Sequence, residues 1–370
     1  MSRLVEITKQ GQAVWLDNIS RALIEDGGLE RLVADDGLTG VTSNPTIFEK
    51  AMGSGDRYDD ALREAVGRAE DGDAREIFFD VAIADIRDAA DLLAGVHSAT
   101  GGADGYVSFE LAPELADEAE GSVEAAQDVF ERIGRPNVMI KVPGTSAGVQ
   151  AFEALTAAGI PVNVTLLFAV ERYGEVAEAY LRGLERRHER GESFETIASV
   201  ASFFVSRVDS TIDGELESLG RSELAGKAGV ANAKLAYASF QKIFSGERWE
   251  KLAAAGARVQ RPLWASTGVK NPAYSDTLYV DELIGPDTVN TMPGPLVDAA
   301  RDHATAARTV DVGVDDARAH MAALREAGVD VDHIVSIRLV EEGVASFAKS
   351  FDSLIETIGE KAKALRFASA

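Results

Sequence analysis

The chain has 370 residues and no cysteine, and 61 aspartates and glutamates outnumber 37 lysines and arginines, giving a formal net charge of −24. The lack of cysteine excludes disulfides, thiolate metal sites and a cysteine nucleophile. So acidic a surface repels nucleic acid and anionic membranes, although local cations in a cleft still permit small phosphorylated ligands. The five histidines show no metal-ligand spacing such as HExxH, so we expect no metal.

No apolar run approaches the roughly 20 residues that span a bilayer. The first residues, MSRLVEITKQGQ, contain no apolar signal core. We therefore expect a cytoplasmic protein without a membrane partner.

Short apolar segments alternate with helical patterns along the first half of the chain. Residues 13–16 form the first predicted strand, and a helical pattern follows it. Residues 38–42 form the second strand, and residues 45–95 are helical, with apolar positions at a helical period. Residues 106–109 and 138–142 are the third and fourth predicted strands.

The clearest unit begins at the fourth strand. Thr145 or Ser146 can cap a helix that ends at Gly159, and residues 160–165 form the next strand. Strand, helix, strand in this order requires a parallel sheet. Residues 199–205, 259–265 and 288–292 are the last three predicted strands, and a long helix covers about residues 337–366.

Eight strands that alternate with helices predict an α/β fold, a (β/α)8 TIM-type barrel with additional helices. We expect residues 1–370 to form one barrel domain with helical insertions and a long C-terminal helix. A doubly wound sheet is the alternative, but its first strand should lead into a glycine-rich phosphate loop. Asp17 and Asn18 stand in that place, which favours the barrel.

A lysine interrupts the fourth strand, whose sequence is Val-Met-Ile-Lys141-Val. Desolvating a lysine amine is costly, and burial favours the neutral amine, which is able to attack a carbonyl carbon. The alternative is an edge strand whose lysine faces water and discourages sheet pairing. The strand by itself does not decide between these interpretations.

Polar residues recur at the C-terminal ends of the predicted strands. They are Asp17, Asn44, Glu110, Lys141, Asn163 with Thr165, Ser202 with Arg207, and Ser266. In a barrel these ends meet at one mouth, where catalysis occurs in this fold. Their convergence favours Lys141 as a nucleophile.

Several of these residues also have simpler interpretations. Asn44, before Pro45, and Asp17 could cap the helices that follow them. Glu110 could be an exposed acid at a strand end. Arg207 could pair on the surface with one of two nearby acids, Asp209 or Asp213.

Seven segments resemble, in order and spacing, the motifs of the transaldolase family: VWLDNISR, GVTSNPTIF, VSFEL, MIKVPGT, VNVTLLF, SFFVSRVDS and WAS. The resemblance extends from about residue 13 to about residue 295 and is strongest to the longer bacterial form. It implies a cofactor-free transferase of the pentose phosphate pathway. That enzyme would move a dihydroxyacetone unit from sedoheptulose 7-phosphate to glyceraldehyde 3-phosphate, giving erythrose 4-phosphate and fructose 6-phosphate.

The resemblance also implies catalytic roles. Lys141 would form a Schiff base with C2 of the ketose phosphate, and Asp17 would exchange the proton of the C4 hydroxyl. Glu110 and Thr165 would hold a water for proton transfer during dehydration of the carbinolamine.

A second set of residues is expected to bind substrate: Asn44, Asn163, Ser202, Phe204, Arg207, Ser266 and Lys270. The two asparagines would contact hydroxyls of the retained unit, and Arg207, supported by Ser266, would clamp the phosphate. Shorter family members carry a second phosphate-binding arginine after the seventh strand, where this chain offers Lys270.

Two other functions fit a Schiff-base lysine or a barrel. One is a lyase similar to fructose-6-phosphate aldolase, which would release the three-carbon unit. Phe204 has no hydroxyl to orient water, which favours transfer over release. The other is a sugar-phosphate-binding barrel without catalysis, which would need neither Lys141 nor Asp17. The sequence is compatible with a homodimer.

Overall fold

A closed barrel of eight parallel strands forms the centre of the molecule in a computed structural model, which describes residues 2–69 and 73–368. The strands are Gln12–Asp17 (β1), Gly40–Thr42 (β2), Tyr106–Glu110 (β3), Val138–Pro143 (β4), Val162–Leu167 (β5), Ser199–Phe204 (β6), Gln260–Ala265 (β7) and Thr288–Met292 (β8). Each strand pairs with the next, and β8 closes onto β1. The predicted (β/α)8 TIM-type barrel is confirmed.

Helices surround the barrel and fill the connections. They are α1 (Arg3–Lys9), α2 (Arg21–Glu25), α3 (Gly28–Asp36), α4 (Pro45–Gly53), α5 (Asp59–Arg68), α6 (Ala74–Ala99), α7 (Ala119–Ile133), α8 (Ser146–Ala158), α9 (Val170–Glu189), α10 (Ser206–Ser218), α11 (Ala228–Ile243), α12 (Glu247–Ala254), α13 (Leu278–Asp281), α14 (Gly294–His303), α15 (Val314–Glu326), α16 (Val331–His333) and α17 (Leu339–Ala368). Short 3-10 helices span Pro113–Asp117 and Ser222–Leu224, and a π-helical turn, Ile334–Arg338, joins α16 to α17. Among the described residues, no helix is both long enough and apolar enough to cross a membrane.

Local sequence explains where the helix after the lysine strand begins and ends. The Thr145 hydroxyl accepts a hydrogen bond from the Gly148 amide at 3.0 Å and so caps α8. Gly159 ends the helix with φ of +95°, a conformation that glycine adopts without a Cβ clash. Strand β5 then begins within three residues, which keeps β4 and β5 adjacent in the barrel.

Strand β5 contains a bulge near its C-terminal end. Val164 pairs with Ala201 but Leu167 pairs with Phe203, so β5 has one more residue than β6 over this interval. Leu166 adopts φ of +57° there, which is unusual for a leucine. Bulges redirect side chains next to active sites, and this one lies beside Thr165.

The terminal helix α17 crosses the mouth of the barrel. A Cβ at Gly343 would lie 2.8 Å from Cδ2 of Leu166, so glycine permits a close approach to β5. Farther along, Phe351 packs edge-on against Phe78 of α6 at 5.8 Å between ring centroids. Phe347 lies between these two anchor points and reaches the mouth.

Candidate active site

One cleft at the C-terminal ends of the strands collects every predicted site residue except Glu110. It is open to solvent and has a volume of about 770 Å³. Thr42, Thr291 and Phe347 also line it. The geometry of each group in this cleft shows which of the alternative interpretations holds.

Lys141 lies on β4 inside the barrel wall and is only 6% exposed. Its Nζ donates to the Ser43 carbonyl at 2.7 Å and to Oε2 of Glu110 at 3.1 Å. Because β4 pairs with β3 on one side and β5 on the other, it is not an edge strand. The edge-strand interpretation is therefore wrong, and the amine faces the cleft.

Glu110 lies on the other side of Lys141, where it lines a second cavity of about 360 Å³. That cavity is mostly apolar, with walls that include Leu115, Leu166 and Phe347. Burial raises the pKa of Glu110, while the charge of Lys141 opposes the rise. With a side chain 12% exposed, Glu110 is not the exposed strand-end acid of the simpler interpretation.

Asp17 ends β1 and faces Lys141 across the cleft. Its Oδ1 accepts a hydrogen bond from the Thr42 hydroxyl at 2.7 Å, and that hydroxyl also lies 2.7 Å from the hydroxyl of Thr291. Burial raises the pKa of Asp17, whereas Lys141 and the Thr42 bond lower it. The cap of the following helix, α2, is Ser20, so Asp17 is not a helix cap.

Asn44 serves as a helix cap and also lines the cleft. Its Oδ1 accepts from the Ile47 amide at 3.0 Å, with Pro45 as the first residue of α4. Within residues 2–69 and 73–368, its Nδ2 donates no hydrogen bond. The cap fixes the side chain and leaves a donor for a ligand in the cleft.

Asn163 on β5 is fully buried in the barrel wall. Its Oδ1 accepts from the Ser202 hydroxyl at 2.6 Å, and its Nδ2 donates to the Ser108 hydroxyl at 3.1 Å. These two bonds fix the amide orientation. The second proton of Nδ2 remains for a ligand.

Thr165 lies on β5, within the bulge between Val164 and Leu167. Its hydroxyl is buried and has no hydrogen-bond partner among the described residues. Leaving such a group unsatisfied costs about 1–3 kcal/mol. A buried hydroxyl that lines the cleft without a partner indicates a position for a water or a substrate oxygen.

Cations lie at the other end of the cleft. Arg207 is half-buried in the first turn of α10, with its guanidinium carbon 5.2 Å from the ring centroid of Phe204. No carboxylate in the described part of the chain forms an ion pair with it. The surface pairs with Asp209 or Asp213 are absent, since tyrosines and backbone amides donate to both acids. Burial lowers the pKa of Arg207, which Glu342 on α17 opposes.

Ser266 and Lys270 follow β7 at the same end of the cleft. Ser266 adopts φ of +52°, and its hydroxyl lies 2.9 Å from the hydroxyl of Ser206. Lys270 is exposed and lines the cleft. The arrangement joins a buried amine, two carboxyls and amide donors to a cationic end, which suits a phosphorylated sugar.

Sequence reasoning missed Thr42, Thr291 and Phe347. Thr42 ends β2 and Thr291 is the residue before the last of β8, so both lie near the C-terminal end of a strand, as the predicted residues do. That position was a usable signal. Phe347 lies in the middle of a long helix. Nothing local distinguishes it from the apolar residues on the buried face.

Comparison with known proteins identifies the family. The family model described as Transaldolase/Fructose-6-phosphate aldolase matches residues 14–358. A protein named Transaldolase from Parafrankia sp. (strain EAN1pec) is 48% identical over 362 residues, which cover 97% of both chains. One of the same name from Thermobifida fusca (strain YX) is 47% identical over 364 residues, covering 97% of this chain and 98% of the relative. The chain therefore belongs to the transaldolase/fructose-6-phosphate aldolase family, and these relatives place it among the transaldolases, which are transferases.

Proposed function

We propose that the chain transfers a dihydroxyacetone unit from sedoheptulose 7-phosphate to glyceraldehyde 3-phosphate through a Schiff base on Lys141. The products are erythrose 4-phosphate and fructose 6-phosphate. The observation that supports this best is the buried Lys141 amine, held by Glu110 and Ser43, in the cleft that also contains Asp17 and Arg207.

In the first half-reaction, the Lys141 amine attacks C2 of the ketose, and the carbinolamine loses water to give an iminium ion. Glu110, on one side of Nζ, and Thr165, on the neighbouring strand, hold the water that carries protons in this step. The buried, unpartnered hydroxyl of Thr165 supports this role. The raised pKa of Glu110 suits a group that both takes and returns a proton.

Cleavage then breaks the C3–C4 bond. Asp17 takes the proton of the C4 hydroxyl, the C3–C4 electron pair moves into the iminium ion, and the aldose leaves. The remaining enamine attacks the acceptor aldehyde through C3, and Asp17 returns the proton to the new hydroxyl. Water then releases the ketose from Lys141. Asn44 and Asn163 orient the hydroxyls of the retained unit through their remaining N–H groups.

Arg207 and Lys270 bind the phosphates of donor and acceptor, with Ser266 beside them. The Arg207 side chain packs on Phe204 and forms no ion pair with a carboxylate in the described chain, which supports this assignment. The guanidinium forms paired hydrogen bonds with a dianion, whereas Lys270 contributes a point charge.

The second candidate is the lyase reaction, in which solvent protonates the enamine and free dihydroxyacetone leaves. Phe204, 9% exposed, lines the cleft and packs against Phe168 at 5.4 Å between ring centroids. Neither ring carries a hydroxyl to orient water at the enamine. This favours transfer.

Borohydride trapping tests the proposal. Incubation with fructose 6-phosphate and borohydride should add irreversible mass to Lys141, and peptide mass spectrometry locates the adduct. Lys141→Ala should give no adduct and no turnover, while ketose phosphate binding remains measurable by calorimetry. A wild-type chain that binds the sugar phosphate but forms no adduct would instead be a non-catalytic binding barrel. The cytoplasmic location, the single-domain organisation and a homodimer stay predictions.

A further inference from the structure

The two cations of the proposed phosphate site lie on separate elements. Arg207 begins α10, and Lys270 lies in the connection from β7 to α13, residues 266–277, which we name the Lys270 loop. A solvated lysine on a free loop loses conformational entropy when it binds an anion. The Lys270 loop must therefore be held in place if Lys270 is to contribute substantially to affinity.

Tyr274 fastens the Lys270 loop to α10. Its hydroxyl donates to Oδ2 of Asp213 at 2.8 Å, while Oδ1 of Asp213 accepts from the Gly226 amide at 2.8 Å. The ring lies directly against Gly226, where a Cβ would be 2.6 Å from the Tyr274 Cζ atom. Gly226 has φ of +75°, so both its conformation and the close ring contact require glycine.

Tyr279 makes a parallel connection one helical turn away. Its hydroxyl donates to Oδ2 of Asp209 at 2.8 Å, and Oδ1 of Asp209 accepts from the Gly229 amide at 2.7 Å. Tyr279 and Asp209 are each 2% exposed. Asp209 and Asp213 both lie on α10, the helix that Arg207 begins.

These bonds also occupy the oxygens of two carboxylates, Asp209 and Asp213, which line one pocket together with Lys270. A free Asp209 or Asp213 would compete with phosphate for Arg207 or Lys270. A tyrosine hydroxyl and a backbone amide each satisfy one oxygen of either acid. Within the described residues Arg207 and Lys270 form no ion pair.

We propose that Tyr274 and Tyr279, through Asp213 and Asp209, are positioning residues that hold the Lys270 loop against α10 and so align Lys270 with Arg207 for one phosphate group. This inference rests on the proposed function, because it deepens the account of substrate binding at the same site.

The test compares Lys270→Ala, Tyr274→Phe and the double variant with wild type. Tyr180→Phe is the matched control, since its hydroxyl donates to the Arg258 carbonyl, just before β7 rather than after it. One readout is the dissociation constant for inorganic phosphate by calorimetry. The second is the ratio of kcat/KM for glyceraldehyde 3-phosphate to kcat/KM for glyceraldehyde with fructose 6-phosphate as donor. For a ping-pong reaction, the acceptor's kcat/KM reports only the second half-reaction.

Lys270→Ala removes a charge-assisted contact to phosphate. Its dissociation constant for inorganic phosphate should rise about tenfold, and its ratio of kcat/KM values should fall about tenfold. Tyr274→Phe should give a reduction of about threefold to tenfold, and the double variant should be no weaker than Lys270→Ala. Tyr180→Phe should change neither readout, although its melting temperature falls.

The inference is overturned if the losses in the two single variants add up in the double variant. It is also overturned if the phosphate dissociation constant is unchanged in Lys270→Ala or in Tyr274→Phe. An equal loss in Tyr180→Phe does so as well, because the effect would then be general destabilisation. Phosphate binding that follows the expected pattern while no transfer occurs would contradict the proposed function and leave the positioning role supported.

Discussion

The hydrogen bond from Thr42 to Asp17 should lower the pKa of Asp17 and so extend cleavage activity to lower pH. Thr42→Val keeps the side-chain shape and removes the donor that lies 2.7 Å from Oδ1 of Asp17. A hydrogen bond to a buried charge is worth about 1.5–3 kcal/mol, and one pKa unit corresponds to about 1.4 kcal/mol. The pKa of Asp17, already raised by burial, should therefore rise by a further one to two units or so.

The role of Asp17 determines the direction in which the acid limb of the pH profile moves. The carboxylate form accepts the C4 proton, so activity is lost as pH falls through this pKa, and a higher pKa moves that loss to higher pH. The assay is the pH profile of kcat/KM for fructose 6-phosphate, with both proteins shown to be folded across the range. Thr291→Val is the control, because Thr291 contacts the Thr42 hydroxyl, one bond farther from the acid. Its shift should be smaller. An acid limb that does not move in Thr42→Val refutes the reasoning.

Three further predictions follow from the same geometry. Thr165→Val removes the unpartnered buried hydroxyl and should lower kcat about 100-fold and slow borohydride trapping, without lowering the melting temperature; normal trapping kinetics would contradict its role. Phe204→Tyr places a hydroxyl in the cleft and should raise the yield of free dihydroxyacetone relative to transfer product, with Phe168→Tyr as a neighbouring comparison; an unchanged ratio would contradict the argument that Phe204 favours transfer because it cannot orient water. Burial raises the pKa of Asp209 to about 6, so the folded chain holds this proton more tightly than the unfolded chain does. Stability from this group is complete below about pH 4 and is lost as pH rises through about 6, by up to about 3 kcal/mol. Urea unfolding from pH 4 to pH 8 should therefore show a difference between wild type and Asp209→Asn that changes with pH by about that amount; a constant offset would contradict it.

Local pattern was sufficient for the barrel and for most of the site. Alternating apolar strands and amphipathic helices require a parallel sheet, and polar residues at successive strand ends, from Asp17 to Ser266, must meet where those strands meet. The prediction of β8 at residues 288–292 is confirmed. Of the two residues that the sequence offered as the cap of α8, Thr145 and Ser146, the cap is Thr145. The alternative roles of Asp17 and Arg207 could not be decided in the same way, because they depended on which partner came closer in space.

The sequence alone therefore determines the order of the strands, the place of the lysine in the fourth strand, and the acids and amides at the strand ends, because these features depend on short-range periodicity. Contacts between distant segments decided the rest. Only the pairing of β4 with both β3 and β5 excludes an edge position for Lys141, and only the three-dimensional packing shows that the buried Thr165 hydroxyl has no partner among the described residues. Phe347 reaches the cleft because Gly343 lets α17 approach Leu166, more than 170 residues away in the chain. No periodicity encodes such a contact, because its energy arises only when both surfaces are already in place.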